Sequence, residues 1–107
     1  MAVMGWARTE ASIERAFATR MKKVGVDTIK LNVQGNRGVP DRLVLLPNGR
    51  VVFVEFKRPG ERLRPLQAHW HNKLESMGFI VLVFDDTDTA ARYVSLMYHR
   101  ARDERHG

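Results

Sequence analysis

The chain has 107 residues, of which 44% are hydrophobic, a formal net charge of +6 and no cysteine. This length fits one domain, residues 1–107, with a modest core, and the lack of cysteine excludes disulfides, thiolate zinc sites and a cysteine nucleophile. No apolar run is long enough to span a bilayer, and Met1 to Thr9 lacks the length and apolar core of a signal peptide, so we expect an intracellular protein without a membrane partner. The positive charge favours an anionic partner, most simply nucleic acid.

A first helix is predicted to begin after Thr9, a residue type suited to the N-cap, and to end at Gly25. Its apolar stripe consists of Ile13, Phe17, Met21 and Val24. Two acids, Glu10 and Glu14, lie on or beside this stripe rather than opposite it. The helix N-terminus can stabilise Glu10, whereas Glu14 lies one turn further in and is harder to explain in this way.

Alternating apolar residues predict a strand over Thr28 to Val33. The following loop, Gln34 to Pro40, contains two glycines around Arg37 and leads directly into Asp41. Such a basic loop suits contact with a phosphate backbone, and it is equally typical of a solvated connection. The pattern of this segment leaves both interpretations open.

The next stretch, from Gly38 to Lys57, predicts a β-hairpin with strands at Leu43 to Leu46 and Val51 to Phe56. A two-residue loop at Asn48-Gly49 would turn Asp41 away from Glu55, because side chains alternate between the faces of a strand. A three-residue loop, with Pro47 in a type I turn and Gly49 in the left-handed position, pairs Leu46 with Arg50 instead. We favour the longer loop because proline suits the turn, and it places Asp41 opposite Glu55.

Both faces of the hairpin are apolar, which predicts helices on both sides of the sheet. At one end of one face, however, the pattern brings together Asp41, Glu55 and Lys57. Charges at the edge of a covered sheet are costly unless they are paired or bind an ion. The cluster is therefore either a set of salt bridges or a metal site.

A metal site here would suit Mg²⁺, which prefers oxygen ligands and often takes only one or two carboxylates, with water and substrate phosphate completing its shell. The carboxylates of Asp41 and Glu55 and the main-chain carbonyl of Phe56 could supply these oxygens. Lys57 lies two residues beyond Glu55 on the same face, where it could orient or deprotonate a water that attacks phosphorus. Each part has a use in phosphodiester hydrolysis.

The rest of the chain predicts a strand–helix–strand unit followed by a last helix. Pro65 suits the first turn of a helix whose apolar stripe would consist of Leu66, Trp70, Leu74 and Met77. His69 and His71 on that helix are expected at the surface. The run from Phe79 to Phe84 is typical of a buried parallel strand, and Thr87 or Asp88 would cap the last helix.

These motifs resemble a known pattern. Pro40-Asp41 followed by Glu55-Phe56-Lys57 looks like the PD-(D/E)XK nuclease signature. The wider set, GVPDRLVLL, VVFVEFK and Pro65-Leu66-Gln67 before a helix, with a glutamate-bearing first helix, resembles the VRR-NUC (virus-type replication-repair nuclease) family over roughly Glu10 to Phe84. E-x-K alone would be weak evidence, whereas the combination of motifs is specific.

The resemblance implies an α/β fold with a restriction-endonuclease-like αβββαβ core, a mixed sheet flanked by helices, to which this chain adds a C-terminal helix. It implies DNA cleavage dependent on Mg²⁺ or Mn²⁺, with catalytic roles for Asp41, Glu55 and Lys57. It further implies that a first-helix acid, best matched by Glu14 with Glu10 as its rival, helps to hold metal or water, and that Gln67 supports the site.

Stand-alone members of the family are similar to junction resolvases, which implies a homodimer acting on branched DNA such as Holliday junctions. The expected function is a structure-specific endonuclease that recognises DNA shape through phosphates. The alternatives are a non-enzymatic DNA-binding module on the same fold, or a nickase or exonuclease with the same active site. The candidate phosphate contacts are Arg37, Arg42, Arg58, Arg62 and Arg64.

Overall fold

In a computed structural model of the chain, the described residues are 8–104. They form, in order, α1 (Glu10–Lys23), β1 (Thr28–Lys30), β2 (Arg42–Leu46), β3 (Arg50–Phe56), α2 (Pro65–Ser76), β4 (Ile80–Phe84) and α3 (Thr87–Glu104). The strands form a mixed sheet in the order β1-β2-β3-β4, in which β3 and β4 are parallel and the other neighbours antiparallel. The predicted αβββαβ order with a further C-terminal helix is confirmed.

The hairpin between β2 and β3 has the predicted register, since Leu46 pairs with Arg50 across the loop Pro47–Gly49. The conformation of the loop differs from the predicted type I turn, because Asn48 already lies in the left-handed region with φ 66° and ψ 29°. Asparagine tolerates this conformation, and here its Nδ2 donates a hydrogen bond of 2.8 Å to the Ala101 carbonyl of α3. The three-residue loop thus gives the predicted register with a different turn, and Asn48 ties this turn to α3.

One face of the sheet is covered by α1 and α3. Their apolar stripes enclose Val44, Val52, Val54 and Phe56, and the rings of Phe17 and Phe56 lie 5.0 Å apart. The predicted stripe of α1 is confirmed at Ile13, Phe17 and Met21, but Val24 is exposed. The helix ends at Lys23, so Val24 no longer follows the helical period, and Val26 enters the core instead.

The start of α3 is fixed by Asp86 rather than by the predicted Thr87 or Asp88. Asp86 Oδ2 accepts a 2.9 Å hydrogen bond from the main-chain N–H of Thr89, as an N-cap does. Thr87 is instead buried, and its hydroxyl donates to the Ile13 carbonyl at 3.1 Å. This bond ties the first turn of α3 to α1.

The other face of the sheet carries α2, which is rotated from its predicted orientation. Its buried residues are Gln67, His71 and Leu74, whereas Leu66 and Met77 of the predicted stripe are exposed. The sheet end beneath the helix is polar, because Glu55 and Lys57 point towards it, so polar side chains of α2 turn inwards to pair with them. The expectation that His71 lies at the surface was wrong for the same reason.

The outer strands are less buried than their sequences suggest. β4 is parallel to β3, as predicted, but it is the last strand of the sheet, and Ile80 remains 47% exposed. The predicted strand from Thr28 to Val33 pairs with β2 only as far as Lys30, and Val33 is exposed. Within residues 8–104, none of the helices has the length and apolar character needed to cross a membrane.

Candidate active site

Asp41 and Glu55 lie side by side where β2 begins and β3 ends. The register pairs Arg42 with Val54, and its continuation places Asp41 opposite Glu55. Asp41 Oδ2 accepts a hydrogen bond of 2.8 Å from the main-chain N–H of Phe56, which fixes its carboxylate against β3. The N–H and C=O of a strand residue point to the same neighbour, so the Phe56 carbonyl also faces Asp41.

The surroundings of Asp41 disfavour the ionised form of its carboxyl group. Burial raises its pKa to about 7, and the charges of Glu55 and Glu14 act in the same direction, while the hydrogen bond from Phe56 partly opposes them. Among residues 8–104, no lysine, arginine or histidine forms an ion pair with Asp41. The site therefore holds more negative charge than these side chains neutralise.

Lys57 and Glu55 are linked through the amide of Gln67. Its Oε1 accepts hydrogen bonds from the Arg64 main chain at 2.8 Å and from Lys57 Nζ at 3.3 Å. Two donors on the oxygen leave its NH₂ group to face Glu55, where Nε2 donates to Oε2 at 3.2 Å. Gln67 lies in the first turn of α2, so the bond from Arg64 also caps that helix.

The two acids of α1 have different partners. Glu10 Oε2 lies 3.2 Å from Lys57 Nζ, and the Lys57 side chain is only 2% exposed, so Glu10 and Gln67 together hold a buried ammonium. Glu14 is also buried, and it accepts hydrogen bonds from Arg42 Nε at 2.8 Å and from Lys30. Glu10 therefore contacts the lysine, whereas Glu14 acts on Asp41 through its charge.

The residues fit a divalent cation of the Mg²⁺ type. Across residues 8–104, no three His, Cys, Asp or Glu side chains come together as a complete ligand set. Mg²⁺ does not need such a set, because it commonly binds through one or two carboxylates and keeps its waters. The raised pKa of Asp41, caused chiefly by burial and then by the neighbouring carboxylates, is the property that a bound cation would relieve.

Four of the five predicted phosphate contacts are exposed around this site. Arg58, Arg62 and Arg64 lie on the segment between β3 and α2, immediately after Lys57. Arg37 belongs to the loop 34–40, which reaches the same end because Gly38 packs on the first turn of α2. A Cβ at Gly38 would lie 2.3 Å from the Leu66 carbonyl oxygen, so only glycine allows this approach.

Arg42 differs from these four arginines. Its guanidinium is largely buried and donates to Glu14 and to the Thr28 hydroxyl, the latter at 3.0 Å. It holds α1 against the sheet and has little surface to offer a phosphate. We therefore leave Arg42 out of the proposed DNA-binding set.

His71 is a residue of this site that the sequence patterns missed. Its side chain is buried on the inner face of α2, and its Nε2 lies 3.4 Å from Glu55 Oε1. The spacing offered a signal, because position 71 lies four residues after Gln67 and therefore on the same face of the helix. The prediction overlooked this spacing because it took the apolar residues of the helix as its inner face.

A small pocket lies beside the site. A pocket of about 280 Å³ lies against Lys57 and Glu61, next to Phe84 and Asp85. A larger groove of about 530 Å³ lies at the other end of β3, between the hairpin and α3, and none of the predicted site residues lines it. Glu55, Lys57 and Gln67 are themselves almost completely buried, whereas Asp41 is partly exposed.

The order of the elements and the acidic end of the sheet define an α/β protein with a restriction-endonuclease-like fold. The VRR-NUC domain family matches residues 1–85, and the chain belongs to that family.

Individual relatives agree with this assignment. The chain is 44% identical over 82 residues to "Putative nuclease p44" of Acyrthosiphon pisum secondary endosymbiont phage 1, a match that covers 77% of this chain and 88% of the phage protein. A solved VRR-NUC domain aligns with a TM-score of 0.70 at 28% identity and covers 82% of this chain and 97% of its own. A second VRR-NUC domain protein, at 14% identity, has the same fold with a TM-score of 0.70 over 89% of this chain and 91% of its own.

Proposed function

We propose that this chain is a DNA endonuclease of the PD-(D/E)XK type that hydrolyses phosphodiester bonds with Mg²⁺ or Mn²⁺. The observation that carries the proposal is the convergence of Asp41, Glu55 and Lys57 at one sheet end, with Gln67 bonded to both Glu55 and Lys57. Membership of the VRR-NUC family, and the nuclease name of the phage relative, support the same function.

Asp41, Glu55 and the Phe56 carbonyl are the groups proposed to hold the metal, with Glu14 as a more distant acid acting through water. When bound, such an ion polarises a phosphoryl oxygen and makes a coordinated water a stronger nucleophile. Two carboxylates facing a phosphate would otherwise repel it. Their presence beside exposed arginines is thus better explained by catalysis than by DNA binding alone.

Lys57 is proposed to orient the attacking water or to hold its proton. Its ammonium is buried and held from two sides, by Glu10 and by Gln67, so its Nζ has a defined position rather than the mobility of a surface lysine. A charge held in advance at the reacting phosphate lowers the cost of reorganisation during the reaction. The arginines Arg37, Arg58, Arg62 and Arg64 are proposed to bind the DNA backbone.

The proposed substrate is branched DNA, recognised by its shape, and the proposed active form is a homodimer. Backbone contacts by arginines carry no direct sequence information, which favours recognition of DNA geometry. Two symmetric cuts in a four-way junction require two active sites related by a twofold axis. Light scattering that shows only monomer, both with and without junction DNA, would remove the dimer from the proposal.

The test is cleavage of linear, nicked, flapped and four-way DNA by the purified protein with Mg²⁺, Mn²⁺ or EDTA. We expect metal-dependent cleavage of branched DNA, and a loss of at least about 100-fold in Asp41→Asn and Lys57→Met. Lys73→Met is the matched control, because Lys73 is an exposed lysine of α2 that packs on Trp70 and should not affect cleavage.

Three results would change the proposal. Wild-type cleavage by Asp41→Asn would refute the assignment of the site. The absence of cleavage of every DNA form with both metals would favour a non-enzymatic DNA-binding module. Cleavage confined to DNA ends or to one strand would identify an exonuclease or a nickase.

A further inference from the structure

His71 lies against the proposed metal ligand Glu55 and has no part in the function proposed above. Both side chains are almost completely buried, with exposures of 5% for His71 and 1% for Glu55. The Nε2 atom of His71 is 3.4 Å from Glu55 Oε1. A histidine in such a position either stabilises the fold or positions the carboxylate of Glu55.

The two oxygens of Glu55 are divided between two successive turns of α2. Gln67 donates to Oε2 at 3.2 Å, and His71, four residues later, faces Oε1. The contacts come from one rigid helix face, which fixes the direction of the Glu55 carboxylate as well as satisfying its charge. A carboxylate oxygen has two lone pairs, so one contact to each oxygen does not prevent it from binding a cation as well.

The orientation of the Gln67 amide is determined by contacts that do not involve His71. The Gln67 oxygen is already occupied by the Arg64 main chain and by Lys57. Gln67 therefore restrains only one oxygen of Glu55, and rotation about the final bond of Glu55 remains open unless a second donor holds the other oxygen. His71 is the side chain of α2 that lies within hydrogen-bond distance of that second oxygen.

We propose that His71 is a positioning residue that fixes the Glu55 carboxylate for metal binding by donating a hydrogen bond from Nε2–H. The inference rests on the proposed function, because it takes Glu55 as a metal ligand. Groups that hold metal-binding carboxylates in place typically contribute a factor of about 10–100 to metal affinity. A purely structural histidine would affect folding stability and leave the metal affinity of the folded protein unchanged.

The experiment measures Mn²⁺ binding to the metal-free protein by calorimetry, without DNA, alongside cleavage at increasing Mn²⁺ concentration. We expect His71→Leu to bind Mn²⁺ about 10–100-fold more weakly and to regain cleavage as Mn²⁺ rises. His71→Gln should remain close to wild type, because its amide can place a donor near the position of Nε2. His69→Leu is the matched control, since His69 is an exposed histidine on the same helix.

Thermal unfolding in EDTA shows whether His71→Leu folds. If it does not fold, His71→Asn is the second variant. Its side chain is polar but too short to reach Glu55, so we expect the same loss of Mn²⁺ affinity. Wild-type Mn²⁺ affinity in a folded His71→Leu or His71→Asn variant would overturn the inference. So would a folded His71→Gln protein that binds no better than His71→Asn. If the wild-type protein itself neither binds Mn²⁺ nor cleaves DNA, the proposed function fails instead.

Discussion

Removing the charge of Asp41 should stabilise the metal-free protein while abolishing its activity. Asp41→Asn keeps the size of the side chain and an oxygen that can accept the Phe56 hydrogen bond. What it removes is a carboxylate whose pKa is raised from 3.8 to about 7, mainly by burial. The ionised carboxylate is thus a cost to the folded state that the substitution relieves.

The magnitude follows from the pKa. A rise of this size corresponds to roughly 4 kcal/mol once the group is ionised, at about 1.4 kcal/mol per pH unit. Asp41 is only partly buried, so solvent screens part of the cost, and we expect about 1–2 kcal/mol. This corresponds to a rise in Tm of roughly 5–10 °C for Asp41→Asn at pH 8.

The sign with pH is determined by which state holds the proton. Between about pH 4 and pH 7 the folded wild-type protein keeps the Asp41 proton, whereas the unfolded chain has released it. The stability of the metal-free wild type should therefore fall as the pH rises through this window. The advantage of Asp41→Asn should be largest at pH 8 and should vanish near pH 4.

The assay is thermal unfolding in EDTA at pH 4, 6 and 8, followed by the same scans with Mg²⁺. Added Mg²⁺ should raise the Tm of the wild type more than that of Asp41→Asn. A ligand that binds the folded state stabilises it, and the variant lacks the carboxylate proposed to bind Mg²⁺. Asp27→Asn, an exposed aspartate beyond α1, is the control and should change neither profile. An Asp41→Asn protein less stable than wild type at pH 8 in EDTA would refute the reasoning.

Two further predictions concern residues that support the site. Gly38→Ala would place a Cβ 2.3 Å from the Leu66 carbonyl oxygen. The carbonyl belongs to the main chain and cannot move aside as a flexible side chain would, so we expect a loss of about 1–3 kcal/mol in unfolding free energy and weaker cleavage as α2 shifts. Unchanged Tm and cleavage would contradict this packing. Glu10→Gln leaves the Lys57 ammonium without its carboxylate partner at 3.2 Å, so cleavage and Tm should both fall. Wild-type cleavage and Tm in this variant would show that Gln67 alone holds Lys57.

Much of the site could be predicted from local patterns. Alternation fixed which residues of each strand share a face, and the length of the loop around Pro47 fixed the register. Asp41 and Glu55 therefore met as predicted, because a hairpin is a local structure whose pairing depends on a few neighbouring residues. The sequence could not predict that Glu10 contacts Lys57 and Glu14 contacts Arg42, since this depends on where α1 crosses the sheet.

The sequence by itself determined the order of the elements, the hairpin register and the acidic end of the sheet, because each depends on period and turn chemistry along a short stretch. Only the tertiary structure decided the rotation of α2, which turns Gln67 and His71 inwards and leaves Leu66 exposed. An apolar stripe predicts the inner face of a helix only where the surface beneath is apolar. Here that surface carries the buried charges of Glu55 and Lys57, and the cost of leaving them unpaired exceeds the gain from burying another apolar side chain.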